Sequence, residues 1–227
     1  MAPLKLVVFD CDGVMFDSRN ANRIYYNHIR EAFARPPMNE EELEYVHMHH
    51  VMDSIRHLFR RYPEDLKQAE AYRQSLDYTP YLQYMIMEPD LIEFLDFLRP
   101  SCKTAISTNR TSTMGPVLRM FALADRFDKV VTAFDVARPK PDPEALEQIL
   151  AHFGFKVDEA VYIGDSMVDR EHTAALGMRL IAFKNPKLPA QYHVQSFMEI
   201  TRLPIFADLG GQNLSQCAQS ATIRKVS

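Results

Sequence analysis

Four short polar clusters in this sequence carry side chains able to do chemistry: Asp10-Cys11-Asp12-Gly13, Thr108-Asn109-Arg110, Arg138-Pro139-Lys140-Pro141 and Gly164-Asp165-Ser166-Met167-Val168-Asp169. They offer carboxylates for nucleophilic or acid–base work, hydroxyl and amide donors, and a lysine to answer negative charge. Each alone is a weak signal, because an Asp-x-Asp pair is ordinarily a solvated turn or a helix cap. What they share is position. Every one follows an apolar run that reads as a strand, directly or after a short loop.

The runs that position them alternate with helical stretches. Leu4–Phe9 is short, continuous and rich in Leu and Val, the mark of a strand buried on both faces. Ala21, Ile24, Tyr25, Ile29, Ala32 and Phe33 then repeat at helical spacing until Pro36-Pro37 stops them. Helices are expected over Glu40–Met48, Val51–Arg61 and Glu64–Met85. From Glu88 the pattern changes. A helix carrying Leu91, Phe94, Leu95 and Leu98 leads to a strand, Thr104–Ser107, and a helix beginning near Pro116. A strand at Val130–Thr132, a helix at Pro143–Phe153, a strand at Ala160–Ile163, a helix ending at Gly177 and a strand at Leu180–Phe183 follow. This alternation predicts an α/β fold with a parallel sheet, whose strand C-termini are where such sheets bind ligands. The first strand must pair with the later ones, so the all-helical block is an insertion. The expected division is a discontinuous core of 1–14 and 89–205, a helical domain of 15–88, and a loosely packed tail of 206–227.

Composition narrows the classes of function. Among 227 residues, 26 Lys and Arg against 30 Asp and Glu give a net charge of −4, which argues against a dedicated nucleic-acid binder. No apolar run approaches the ~18 residues of a membrane span. The N-terminus, MAPLKLVVFD, goes straight into a strand-like run, so no basic n-region and cleavage site is expected there. Cys11, Cys102 and Cys217 are far apart and form no CxxC, so a reducing, cytoplasmic setting is expected.

As an ordered set, VVFDCDGV, ISTN, the lysine of RPKPDP and YIGDSMVD resemble the four motifs of the haloacid dehalogenase-like hydrolase superfamily, in its phosphoglycolate phosphatase and β-phosphoglucomutase-like branch. The resemblance implies a Rossmann-like core with a helical cap inserted after the first motif. It implies a phosphatase acting on a small phosphorylated metabolite. A phosphate dianion beside Asp10, Asp165 and Asp169 would be strongly repelled without a cation, and oxygen-only ligands suit Mg²⁺. By resemblance Asp10, Asp165 and the backbone carbonyl of Asp12 bind the ion, with Asp169 supporting it. Asp10 is the implied nucleophile, and Asp12 the acid and then the base. Thr108 is expected to bond the phosphoryl, Lys140 to neutralise it, Asn109 to brace or bind at the same place, and Gly13 to admit close backbone approach. The intact second carboxylate favours phosphate esters over halides, since an alkoxide leaving group needs a proton.

Other readings attach to particular residues. Arg110 could reach a substrate anion or lie on the surface. His47, His49 and His50 fall in Tyr45–Asp53, which aligns with the family's specificity loop, although a glycine frequent in relatives is missing there. His49, Asp53 and His57 share helical spacing that zinc could use, a weaker reading than substrate recognition. A phosphomutase on the same scaffold is the nearest alternative function. A receiver-like signalling domain uses similar residue types, but in the reverse order and without the inserted helices.

Overall fold

A computed structural model of the protein describes residues 2–48 and 51–209. These divide into two compact units, one formed by residues 2–15 and 87–209 and the other by residues 16–48 and 51–86. In chain order the first unit begins with β1 (Leu6–Phe9), and the chain leaves through β2 (Phe16–Asp17) into α1 (Arg19–Ala32), α2 (Glu40–Met48), α3 (Val51–Leu58) and α4 (Leu66–Ser75). It returns through β3 (Ile86–Met87), which pairs with β2, to α5 (Leu91–Leu98), β4 (Lys103–Ser107), α6 (Met114–Met120), β5 (Lys129–Val131) and α7 (Glu144–Phe153). β6 (Ala160–Gly164), α8 (Met167–Ala174), β7 (Arg179–Phe183), β8 (Tyr192–Val194) and α9 (Phe197–Ile200) complete it.

The core is a six-stranded sheet in the order β5-β4-β1-β6-β7-β8, and its pairings are parallel. The parallel α/β sheet is therefore the one the alternation predicts, and its Rossmann-like form the one the resemblance implies. β1 lies in the middle, and all four of its residues are buried. Residues two apart along each strand share a face. On one face Leu6, Val8, Tyr162, Leu180 and Ala182 pack with Ala145, Leu146 and Ile149 of α7. Phe9 projects to the other, where it meets Phe94 of α5, Phe127 and Phe197 of α9 with ring centroids 5.5–6.0 Å apart. Both faces are dry, which explains the unbroken apolar runs. No helix among the described residues is long and apolar enough to cross a membrane.

The helical unit has its own core, built from Tyr25, Tyr26 and Ile29 of α1, Leu43 of α2, Ile55 and Leu58 of α3, and Phe59. The single helix expected over Glu64–Met85 is broken. α4 stops at Ser75, Leu76 turns to extended backbone, and a 3₁₀ turn covers Thr79–Tyr84. Asp77 Oδ1 accepts the Thr79 N–H at 2.9 Å, and Pro80 has no amide with which to continue an α-helical ladder.

The C-terminal region differs from expectation in a second way. Beyond Phe183 the chain adds β8 and α9, elements of three and four residues that are too short to show a period. The segment expected to pack loosely begins with Phe206, which is fully buried with its ring 6.0 Å from that of Phe94. Residues 210–227 of that segment lie outside the described ones.

Candidate active site

The strand order brings the ends of β1, β4 and β6 side by side, and the four polar clusters leave the sheet at this edge. Asp10 follows β1 directly. Its Oδ1 accepts the Cys11 N–H at 2.7 Å and the Lys140 ammonium at 2.8 Å, which fixes the carboxylate in one orientation. Asp165 follows β6, and the Asn185 amide donates to its carbonyl oxygen at 2.7 Å from the loop after β7. Asp169 sits in the first turn of α8 and is fully buried. Ser166 caps that helix, and its hydroxyl and Asp169 bond reciprocally. Asp169 Oδ2 takes the Ser166 hydroxyl at 2.8 Å and the backbone amides of Asp165 and Ser166, while Oδ1 takes Lys140 at 2.8 Å.

Asp10, Asp165 and Asp169 each bring an oxygen to within 4.8 Å of the others. Among the described residues this is the one group of three or more His, Cys, Asp or Glu side chains gathered so closely. Burial, the Asp169 charge and, to a smaller degree, Asp12 push the Asp10 carboxyl up to about 7, against the pull of Lys140. Burial and the neighbouring charges of Asp10 and Asp169 push Asp165 up to about 8. Burial works against Asp169 too, but Lys140, Ser166 and Tyr162 outweigh it and keep that carboxyl below its ordinary range. Two carboxylates that resist ionising and face each other form a site short of positive charge. A hard divalent cation with oxygen ligands fits that deficit.

Gly13 makes the closeness possible. Its φ of +77° suits glycine, and a Cβ there would fall 2.0 Å from Asp165 Oδ2. Any other residue would occupy the space through which the first and fourth clusters approach.

Lys140 comes from the loop after β5 and is almost wholly buried. Burial opposes its charge, yet Asp10 and Asp169 hold it protonated well above the usual lysine range. Its three N–H donors meet Asp10, Asp169 and, at 2.9 Å, the Tyr162 hydroxyl. The amine is thus saturated by the protein, and any bond it makes to a phosphoryl must be shared with one of these acceptors. Asn109, expected to brace or bind at the phosphate, commits both ends of its amide to the loop: Nδ2 donates to the Lys140 carbonyl and Oδ1 accepts the Lys140 N–H, each at 3.0 Å. Thr108 is buried after β4, and its Oγ1 accepts the Arg110 N–H at 3.1 Å.

Arg110 is not a surface residue. Its side chain is 8% exposed, and it grips Asp12 with two hydrogen bonds, Nε to Oδ2 at 2.7 Å and Nη2 to Oδ1 at 2.6 Å. Hydrogen bonds and ion pairs thus tie Lys140 to Asp10, Asp169 and Asn109, and Asp169 to Asp165, while Arg110 ties Asp12 to Thr108 and Gly13 leaves room for the Asp165 carboxylate. The structure adds Tyr162, Ser107 and His172, which the sequence did not single out. His47 lies in the last turn of α2 in the helical unit; His49 and His50 lie outside the described residues. Of the set considered for zinc, Asp53 pairs with Arg56 at 3.3 Å and the His57 ring stacks on Tyr45 at 3.7 Å.

Comparison with known proteins shows the family and the fold. A sequence profile described as haloacid dehalogenase-like hydrolase matches residues 7–183. A solved structure, a haloacid dehalogenase superfamily hydrolase of subfamily IA, variant 1, from Geobacter sulfurreducens, is 40% identical and superposes with a TM-score of 0.79 over 88% of this chain and 95% of its own. A phosphoglycolate phosphatase from Chromobacterium violaceum is 27% identical across 79% of this chain and 84% of its length. A β-phosphoglucomutase from Bacillus subtilis is 26% identical across 87% and 92%.

Proposed function

The chain belongs to the haloacid dehalogenase-like hydrolase family, and from that premise we propose that it is a Mg²⁺-dependent phosphatase of small phosphorylated metabolites, working through an aspartyl-phosphate. The observation that carries the proposal is Asp10: a carboxylate at the central strand end, anchored by Lys140 and the Cys11 amide beside two further carboxylates.

In this reading the second oxygen of Asp10 attacks phosphorus as the bond to the leaving oxygen breaks, which leaves the phosphoryl on Asp10. Asp12, held by Arg110, delivers a proton to the departing alkoxide. Asp12 then takes a proton from the water that attacks the aspartyl-phosphate, releasing phosphate and restoring Asp10. Thr108 directs its hydroxyl proton to a phosphoryl oxygen. Lys140 offsets charge on Asp10 and on the transferring group. Asp10, Asp165, the Asp12 carbonyl and, behind them, Asp169 would hold Mg²⁺, which supplies counter-charge to the phosphoryl oxygens.

Hydrolysis of p-nitrophenyl phosphate with Mg²⁺, silenced by Asp10→Asn, tests the assignment, and trapping of a hydroxylamine-sensitive phosphoprotein tests the intermediate. A protein that hydrolyses nothing across a panel of phosphomonoesters would overturn it. The likeness to a β-phosphoglucomutase favours one second reading, in which a sugar hydroxyl replaces water as acceptor. Isomerised sugar phosphate without released phosphate would identify it.

A further inference from the structure

Tyr162, His172 and Ser107 are fully buried polar residues that the chemistry above leaves without a part. Their hydrogen bonds can be assigned by elimination. His172 is pushed down to about 4, chiefly by burial, so its imidazole is neutral with one donor and one acceptor nitrogen. Nδ1 lies 2.7 Å from the carbonyl oxygen of Asp142, which can only accept, so Nδ1 bears the proton. Nε2 is then the acceptor, and the Ser107 hydroxyl donates to it at 3.0 Å. The Tyr162 hydroxyl accepts from Lys140 at 2.9 Å, because an ammonium can only donate. Its single proton serves the Ser107 carbonyl and Asp169 Oδ1, both 3.0 Å away. The Tyr162 ring meets the His172 ring edge-on at 5.7 Å.

These bonds connect three of the four clusters. Ser107 immediately precedes Thr108, and it is held by its side chain to His172 and by its carbonyl to Tyr162. His172 grips the loop two residues beyond Lys140. Tyr162 completes the acceptor set of the Lys140 amine. We infer that Tyr162 and His172 are positioning residues for Lys140: the phenol fixes the ammonium and the imidazole fixes the backbone that presents it, both registered against the strand that carries Thr108. This rests on the proposed phosphatase reading for its kinetic expression, but the geometry of Lys140 can be read without turnover.

The test compares wild type, Tyr162→Phe, His172→Ala and His172→Asn in full-length protein. Tyr162→Phe removes one oxygen and keeps the ring. With p-nitrophenyl phosphate and Mg²⁺, its kcat is expected to fall about ten- to a hundredfold while KM changes less than about twofold, the scale of one lost hydrogen bond to a charged group. His172→Ala is expected to lose a similar factor, and His172→Asn to recover most of it, since its amide can donate from the position of Nδ1. A Tyr162→Phe enzyme with wild-type kcat, or two His172 variants equally impaired in step with their loss of folded protein, would overturn the inference. Lysine ¹⁵N spectra of the metal-free protein separate this from the phosphatase reading. A protected ammonium signal, assigned by its loss in Lys140→Met, is expected in wild type and should shift or broaden in Tyr162→Phe. An unchanged signal overturns the positioning role even if no substrate is ever turned over, and an inert wild type with the expected spectra overturns the phosphatase reading alone.

Discussion

Arg110 spans both oxygens of Asp12, with Nε 2.7 Å from one and Nη2 2.6 Å from the other. The same residue donates its backbone N–H to Thr108 Oγ1, and its third nitrogen lies 3.3 Å from the Thr113 hydroxyl. Such a two-pronged pair fixes a carboxylate in plane as well as in place. Asp12 remains 38% exposed although its partner is nearly buried, so the pair presents an oriented carboxylate to whatever enters from solvent.

Arg110→Gln should therefore act through Asp12. Protonation of the leaving oxygen matters for an alkyl ester and little for a good aryl leaving group, and general acid help is typically ~10²–10⁴-fold. The expected result is a loss of kcat/KM of about ten- to a hundredfold on alkyl phosphates and less than about threefold on p-nitrophenyl phosphate. Asp12→Asn should show the same asymmetry more strongly. Equal losses on both substrate types would assign Arg110 to the phosphate instead.

Asp10→Asn should leave less than about 1% of wild-type phosphate release, because an amide cannot form the acyl-phosphate and residues acting as one unit fail together. Circular dichroism and melting should remain those of a folded protein, as asparagine keeps the shape and one oxygen for the Cys11 amide. Residual turnover above that level that survives repurification would move the nucleophile elsewhere.

The fold and much of this site were legible for a simple reason. Asp10, Asp12, Lys140, Asp165 and Asp169 stand in polar stretches that follow apolar strands directly or after a loop, where contrast makes them visible. Tyr162 and Ser107 lie inside strands β6 and β4, where a period of two says only that a position is buried and not that its hydroxyl has work. His172 did leave a trace, being three residues after Asp169 on one helical face, but nothing in the chain names Ser107 and the Asp142 carbonyl as its partners. Arg110 reads equally as an anion contact or a surface residue, because its partner lies ninety-eight residues away, in the first cluster. The break after α4 was foreshadowed by Asp77 and Pro80, which the apolar periodicity of Glu64–Met85 masked.

Gly13→Ala should be severe for a small change. The left-handed backbone strains any side chain, and the new methyl would collide with the Asp165 carboxylate. A cost of about 1–3 kcal/mol in stability is expected from the backbone alone. Calorimetric titration should also show Mg²⁺ affinity reduced at least about tenfold, since Asp165 must move. Unchanged affinity would mean that Asp165 does not take part in holding the ion.

The acidic cluster makes stability depend on pH in a direction opposite to the usual carboxylate. Asp10 and Asp165 are raised from 3.8 to about 7 and about 8 in the folded, metal-free protein, so the native state binds more protons than the unfolded chain throughout the interval between. These two groups therefore cost no stability below about pH 4; the cost accumulates as pH rises above that and levels off once pH has passed about 7 for Asp10 and about 8 for Asp165. A divalent cation reverses the balance by favouring the ionised forms, and protons compete with it at low pH. Melting curves should accordingly show an Mg²⁺-induced rise in Tm that is small at pH 5.5 and grows steadily to pH 8.5. In Asp165→Asn, which removes one of the two titrations and one ligand, that growth should be largely lost. A stabilisation by Mg²⁺ that is the same at both pH values, or persists unaltered in the variant, would place the cation somewhere other than between these carboxylates.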